Sequence, residues 1–208
     1  MKKLLLSLAC LLVLTTGGIG VAASQQPDRT HIERSIQVQG TVADLEPHVV
    51  DFTTFVSWSP WADLDPDQVN TFSDPPSGLG AWYAWEGNAD VGKGRMDLTL
   101  VEPGRVTHHL TFIEPIPAEA DASILWVEAG DGLQVTWTYD AENDFMAKAM
   151  SLFLDMDSLL GPDYEKGLDA LKRNVERNAE IRRGKARRAA ERAAAEAAGA
   201  ANPAGAPD

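Results

Sequence analysis

Cysteine is nearly missing from this chain: Cys10 is the only one. It lies in the N-terminal apolar run, so the body behind it can form no internal disulfide and offers no thiolate nucleophile. An oxidising compartment stays open, because a domain of about 150 residues can stand on its core alone. Histidine is scarce as well. His31 and His48 have no ligand spacing with any other residue, and His108 and His109 are strand neighbours that point to opposite faces. No metal motif follows, and no cofactor is expected. No Gly-x-Ser-x-Gly elbow occurs. Gly92-Lys93-Gly94-Arg95 leads into a strand rather than a helix, so it is a hairpin start and not a phosphate loop. Internal repeats are absent. Cations are few where most of the chain lies: residues 24–171 hold 7 Lys or Arg against 26 Asp or Glu. Such a body repels phosphates, which excludes nucleic acid as its partner.

The charge that is present is segregated. Lys2 and Lys3 precede an apolar stretch from Leu4 to Leu14, and Val21-Ala22-Ala23 supplies the small residues of a cleavage site. Residues 1–23 therefore read as an export signal, with Ser24 as the mature N-terminus and the periplasm as the location. The alternative is an uncleaved anchor, since residues 4–23 are uncharged and about one bilayer span long. Residues 28–178 form the expected domain. Residues 179–208 form a basic tail, rich in Ala and Arg and without an apolar stripe. It is expected to extend the last helix into solvent and to end disordered over residues 199–208. This tail is the part of the chain suited to an anionic membrane surface.

Within the body, His31 to Val38 alternates as a strand. Thr41 and Asp44 open a helical stretch in a capping-box arrangement, and a second short helix ends at Ser59-Pro60. Strands follow at Ala81–Glu86, Lys93–Val101, Arg105–Glu114, Ser123–Glu128 and Leu133–Tyr139, with turns at Gly87-Asn88, Glu102-Pro103-Gly104 and Gly130-Asp131-Gly132. Short turns between successive strands predict an antiparallel meander. Alternation puts Tyr83 and Trp85 on its apolar face, together with Met96, Leu98 and Leu100. Val106, His108, Leu110 and Phe112 form a further row, as do Leu133, Val135, Trp137 and Tyr139. Helices must cover that face. Asn143 is the expected N-cap of a helix carrying Phe145, Ala149, Leu152, Phe153 and Met156. Gly161-Pro162 should interrupt it. Leu160, Tyr164, Leu168, Leu171 and Val175 then form an amphipathic stripe, with Gly167 placed for a close approach to the sheet.

Four of the six tryptophans fall within residues 58–85, in Trp58-Ser59-Pro60-Trp61 and Trp82-Tyr83-Ala84-Trp85. Such a cluster suits the wall or mouth of a hydrophobic cavity. These motifs also carry a resemblance. Arg34-Ser35-Ile36, Trp58-Ser59-Pro60-Trp61, Trp85-Glu86-Gly87-Asn88, Gly92-Lys93-Gly94-Arg95-Met96, Val135-Thr136-Trp137-Thr138, Asn143-Asp144-Phe145 and Leu160 through Leu168 resemble the bacterial polyketide cyclase/dehydrase and lipid-transport group of the SRPBCC (START-like) superfamily. The likeness covers about residues 30–177. It implies an α+β helix-grip fold: a curved antiparallel sheet of about seven strands round a long C-terminal helix, with two short helices after the first strand. It implies a hydrophobic small molecule or lipid as ligand, and no shared catalytic residue.

The candidate ligand-binding residues are Tyr83, Trp85, Met96, Leu98, His108, Leu110, Phe112, Val135, Trp137, Phe153, Tyr164 and Leu168, with Arg34, Trp58 and Trp61 at the pocket mouth. Each also has a plain structural role available. The aromatic and aliphatic residues can simply fill the core, and His108 can be a satisfied core histidine partnered by Tyr139, Tyr164 or a ligand oxygen. Arg34 can pair with an acid at the rim. Three functions stay open: a non-catalytic binder in the envelope, a cyclase or dehydratase using the same pocket, and an interaction protein whose pocket is vestigial.

Overall fold

The computed structural model describes residue 18 and residues 20–201. Seven strands form one antiparallel sheet: β1 (Arg29–Val38), β2 (Val69–Phe72), β3 (Trp82–Glu86), β4 (Lys93–Glu102), β5 (Arg105–Glu114), β6 (Ala118–Ala129) and β7 (Gly132–Glu142). Their spatial order is β1-β7-β6-β5-β4-β3-β2, a meander from β2 to β7 with β1 added beyond β7. Two short helices, α1 (Val42–Val50) and α2 (Phe52–Val56), follow β1. After the sheet come α3 (Phe145–Ser151) and the long α4 (Met156–Ala201), which packs on β1 and α1. This is the helix-grip arrangement. The edge strand β2 is the one strand that alternation did not locate, because only Val69 and Phe72 of its four residues are apolar and neither is buried.

The inward rows follow the alternation. Leu98, Val106, Leu133, Val135 and Trp137 are all buried. Two register shifts in β4, at Lys93/Gly94 and Leu98/Leu100, interrupt the ladder with β5 and help curve the sheet. The stripe on α4 lies in this curve, with Tyr164, Leu168, Leu171 and Val175 buried. Gly167 makes the fit possible: a Cβ there would stand 2.7 Å from Cζ3 of Trp137 and 3.1 Å from Cδ of Pro60. The opening of α1 also follows the expectation, with the Asp44 carboxylate accepting from the Thr41 N–H at 2.9 Å and its hydroxyl at 2.8 Å.

The helical cover differs from the expectation in three places. The N-cap of α3 is Asp144, whose carboxylate accepts from the Ala147 N–H at 2.7 Å. Asn143 is used instead to hold the chain ahead of β1, through the carbonyls of Pro27 and Asp28. Secondly, α4 runs through Gly161-Pro162 without interruption. Pro162 and Ser158 are both exposed, so water can satisfy the Ser158 carbonyl that a residue-162 N–H would otherwise have bonded. Thirdly, α3 buries nothing and ends at Ser151: Phe145 on it is 61% exposed, and Phe153, in the turn after it, is 75% exposed. Helical spacing marks a common face but does not ensure that the sheet reaches it.

The packed part of α4 also runs past residue 178. Ala179 continues the stripe and is fully buried, and Arg182 donates to the buried Asp44 carboxylate at 2.9–3.3 Å. Beyond Arg182 the helix is exposed up to residue 198, apart from the half-buried Gly184. Truncation after Gly184 is therefore expected to leave the unfolding midpoint unchanged within about 2 °C. Truncation after Asn178 removes the guanidinium from a buried carboxylate and is expected to cost roughly 1–3 kcal/mol. Urea denaturation of both truncations checks this, and equal stabilities would contradict it. Most of the signal expected over residues 1–23, and most of the disordered end expected over residues 199–208, lie outside the described residues. Within those residues, no helix is long and apolar enough to cross a membrane.

Candidate functional site

A cavity of about 370 Å³ lies between the sheet and α4, at the end where β1 begins and α4 starts. Aromatic rings make its wall. Tyr83 stacks on Phe72 at 5.5 Å and on Trp85 at 5.6 Å, and Trp85 meets Phe112 edge-on at 6.0 Å. The Trp85 ring lies flat over Gly94 of the neighbouring strand. A Cβ at 94 would stand 2.3 Å from the ring and 2.8 Å from the Thr111 carbonyl, so no other residue fits beneath it. Met96, Leu110 and Leu160 add aliphatic surface.

The Trp58-Ser59-Pro60-Trp61 loop covers the cavity from the side of α4. Trp61 donates from Nε1 to Asp163 at 3.1 Å, and Lys166 reaches the Pro60 carbonyl at 3.3 Å. Trp61 lines the cavity. Trp58 does not. It is 2% exposed, donates to the His48 carbonyl at 2.9 Å and packs edge-on against Trp137 at 5.2 Å. The mouth is tied further by Asp65, whose carboxylate accepts from the Asn88 N–H at 2.7 Å and joins the loop after Trp61 to the β3–β4 turn.

Of the candidate residues, Tyr83, Trp85, Met96, Leu110, Phe112, Tyr164 and Trp61 meet around this space. Leu98, His108, Val135, Trp137 and Leu168 are core residues at 2% exposure or less and do not line it. Their inward direction was read correctly, but they sit deeper, under α1, α2 and α4. Phe153 faces outward.

His108 donates to or accepts from neither Tyr139 nor Tyr164. Its Nε2 lies 3.1 Å from the Val49 carbonyl, and its ring packs between Phe52 and Phe55, each at 5.6 Å. The carbonyl is an acceptor, so Nε2 carries the proton. Burial pushes the imidazole down to about 4, against a weaker upward pull from the Val49 carbonyl. His109 faces the other side of the sheet, 2.9 Å from Asp121. Arg34 leaves the cavity for the rim of α4, where it bonds both carboxylate oxygens of Asp157 at 2.9 Å and Glu165 at 2.9 Å. These bonds hold its guanidinium protonated, with Asp157 the larger influence. Among the described residues, no group of three or more His, Cys, Asp or Glu is placed to hold a metal ion.

Several lining residues were outside the sequence reading. Phe55, Ser59, Ala62, Gln68, Asp90 and Val91 come from α2 and from loops, where no alternation marks direction. Tyr139 and Leu160 had a usable signal, since both stand on rows already assigned inward. The cavity's polar groups include three phenols beside Ser59, Gln68 and Asp90. The Tyr83 hydroxyl accepts from Gln68 at 3.1 Å. Burial raises the phenols of Tyr83, to about 12, and of Tyr139 and Tyr164. All three are neutral at physiological pH and act as hydrogen-bond donors or acceptors rather than as bases.

Comparison with known proteins adds a family and a fold. A family model described as polyketide cyclase / dehydrase and lipid transport matches residues 29–176. No curated protein matches the chain. Among solved structures, a protein from Rhizobium loti is 16% identical, with a TM-score of 0.53 over 70% of this chain and 96% of its own. The Aha1 dimer from Colwellia psychrerythraea is 13% identical, with a TM-score of 0.51 over 71% of this chain and 96% of its own. A Chromobacterium violaceum protein is 13% identical, with a TM-score of 0.50 over 73% of this chain and 99% of its own. At these identities the likeness is one of fold.

Proposed function

Because the chain belongs to the polyketide cyclase / dehydrase and lipid transport family, we propose that it is a binding protein for a hydrophobic small molecule or lipid, exported to the cell envelope. The observation that carries this reading is the cavity: about 370 Å³, walled by Trp85, Phe112, Met96 and Leu110, within the size range of ligand sites. Such walls favour apolar molecules by removing their surface from water. A cyclase or dehydratase would use the same space, but it needs a group that takes up a proton. The buried titratable groups lining the cavity are phenols whose environment holds their protons more tightly, and Asp90 is exposed at the mouth. Binding without turnover is the better fit. A vestigial pocket is disfavoured by the open volume itself.

Export rests on the Lys2-Lys3, Leu4–Leu14 and Val21-Ala22-Ala23 pattern. The exposed basic residues beyond Arg182, from Arg183 to Arg192, would add contact with an anionic lipid surface. Native mass spectrometry of protein purified from its own envelope fraction tests both parts. The expected result is a chain beginning at Ser24 that carries one extractable apolar molecule. A ligand-free chain retaining Met1 would contradict both.

A further inference from the structure

Two hydroxyl groups in this cavity have no use within the protein. Tyr139 on β7 and Tyr164 on α4 both line it. Tyr164 is 2% exposed, and its ring stacks on Trp137 at 4.0 Å. Among the described residues, neither hydroxyl has a hydrogen-bond partner, whereas the third phenol, Tyr83, is bonded to Gln68. Neither oxygen is sealed off: among the described residues the buried side-chain polar atoms without a partner are His48 Nδ1 and Trp137 Nε1, so both phenols keep an accessible O–H facing the cavity for a bound molecule to use. The two rings meet the same part of the wall, because Trp137 stands two residues before Tyr139 on the same face of β7 and stacks on Tyr164. The rest of the lining is aromatic and aliphatic, apart from Ser59, Gln68 and the exposed Asp90. It contains no Lys, Arg or His.

We propose that the Tyr139 and Tyr164 hydroxyls form a two-donor subsite for an uncharged carbonyl oxygen on an otherwise apolar, ring-shaped ligand. The inference rests on the binding function proposed above and names its ligand class. A carbonyl oxygen has two lone pairs and can accept from both phenols at once. Flat rings suit a wall made of stacked Tyr83 and Trp85 with Phe112 edge-on. A carboxylate is selected against. It would bury a charge among apolar groups with no cation in the lining, inside a body of strong negative charge. Simple fatty acids are therefore poor ligands.

Equilibrium dialysis with fluorene, fluorenone and fluorene carboxylate tests this on the full mature chain. The three probes share one ring system and carry no oxygen, one neutral carbonyl oxygen, or an ionised carboxylate group. Wild type is expected to bind fluorenone about ten-fold more tightly than fluorene, as one to two hydrogen bonds supply, and to bind the carboxylate more weakly than fluorene. The Tyr139→Phe/Tyr164→Phe double variant keeps both rings. It is expected to hold fluorene within two-fold of wild type and to lose the preference for the ketone. An unchanged ketone preference in the double variant overturns the proposal, as does a carboxylate bound as tightly as the ketone. If fluorene binds and the ketone gains nothing, this inference fails while the apolar cavity stands. If neither fluorene nor fluorenone binds to folded wild type, both fail.

Discussion

Replacing Trp137 with alanine is expected to destabilise the domain by roughly 3–5 kcal/mol and to lower its unfolding midpoint by about 10 °C or more. Trp137 is 1% exposed and stands where the layers meet. Its ring stacks on Tyr164 of α4 and lies edge-on to Phe55, Trp58 and Trp61 at 5.2–6.4 Å. Gly167 is kept small by the same ring. Its buried Nε1 has no hydrogen-bond partner, so the loss on substitution is packing and not a polar contact. The vacated space adjoins Tyr164 and Trp61, two walls of the cavity. Denaturant unfolding measures the cost, and a change below about 1 kcal/mol would show that the layers do not depend on this ring.

Acidification is expected to remove roughly 3 kcal/mol of stability through His108 alone as pH falls from about 6.5 to about 4. The sign follows from proton binding. The unfolded chain takes up a proton near the ordinary histidine value, while the fully buried imidazole resists it until about 4. Between those values the unfolded state binds more protons, so stability is complete above the window and declines through it. His48, also pushed down by burial, acts in the same direction. His31 is pushed up, chiefly by its bond to Asp140, and acts in the opposite direction. Asp44, lowered to about 2 by Arg182, matters only in stronger acid. The His108→Leu variant isolates the effect. Its stability should change less with pH than that of wild type by about this amount, even though the variant starts lower because the Val49 carbonyl loses its partner. Parallel pH profiles for the two proteins would contradict the assignment.

Direction was easier to read from the sequence than depth. Alternation on β3, β4, β5 and β7 identified the inward side chains, because period-two apolar rows have one physical explanation. It could not say which inward residues border empty space. Tyr83 and Leu110 do, whereas Leu98 and Val135 are sealed in the core. That distinction depends on where α2 and the Trp58–Trp61 loop come to rest, and it is set by contacts distant in sequence, such as Trp61 to Asp163. The same limit explains Phe153: the helix expected to carry it ends at Ser151, and Phe153 falls in the exposed turn before α4. Pro162 was read as a break because its cost is local and visible, while the buried stripe that follows it, from Tyr164 to Ala179, outweighs one lost hydrogen bond. Ala179 ended the stripe unnoticed because a methyl group carries little hydropathy, although it is fully buried against the body.

The proposed binding function requires that the space beneath Trp85 admit an apolar molecule. The most direct measurement is fluorene binding by equilibrium dialysis to wild type and to Leu110→Phe. Leu110 lines the cavity and is 7% exposed, so a larger side chain there projects into open volume rather than into packed core. The predicted result is saturable binding of one molecule per wild-type chain and none to Leu110→Phe, with the variant's unfolding midpoint preserved within a few degrees. Equal binding by both proteins would place the molecule elsewhere, and no binding to folded wild type would mean that these aromatic residues serve only as core.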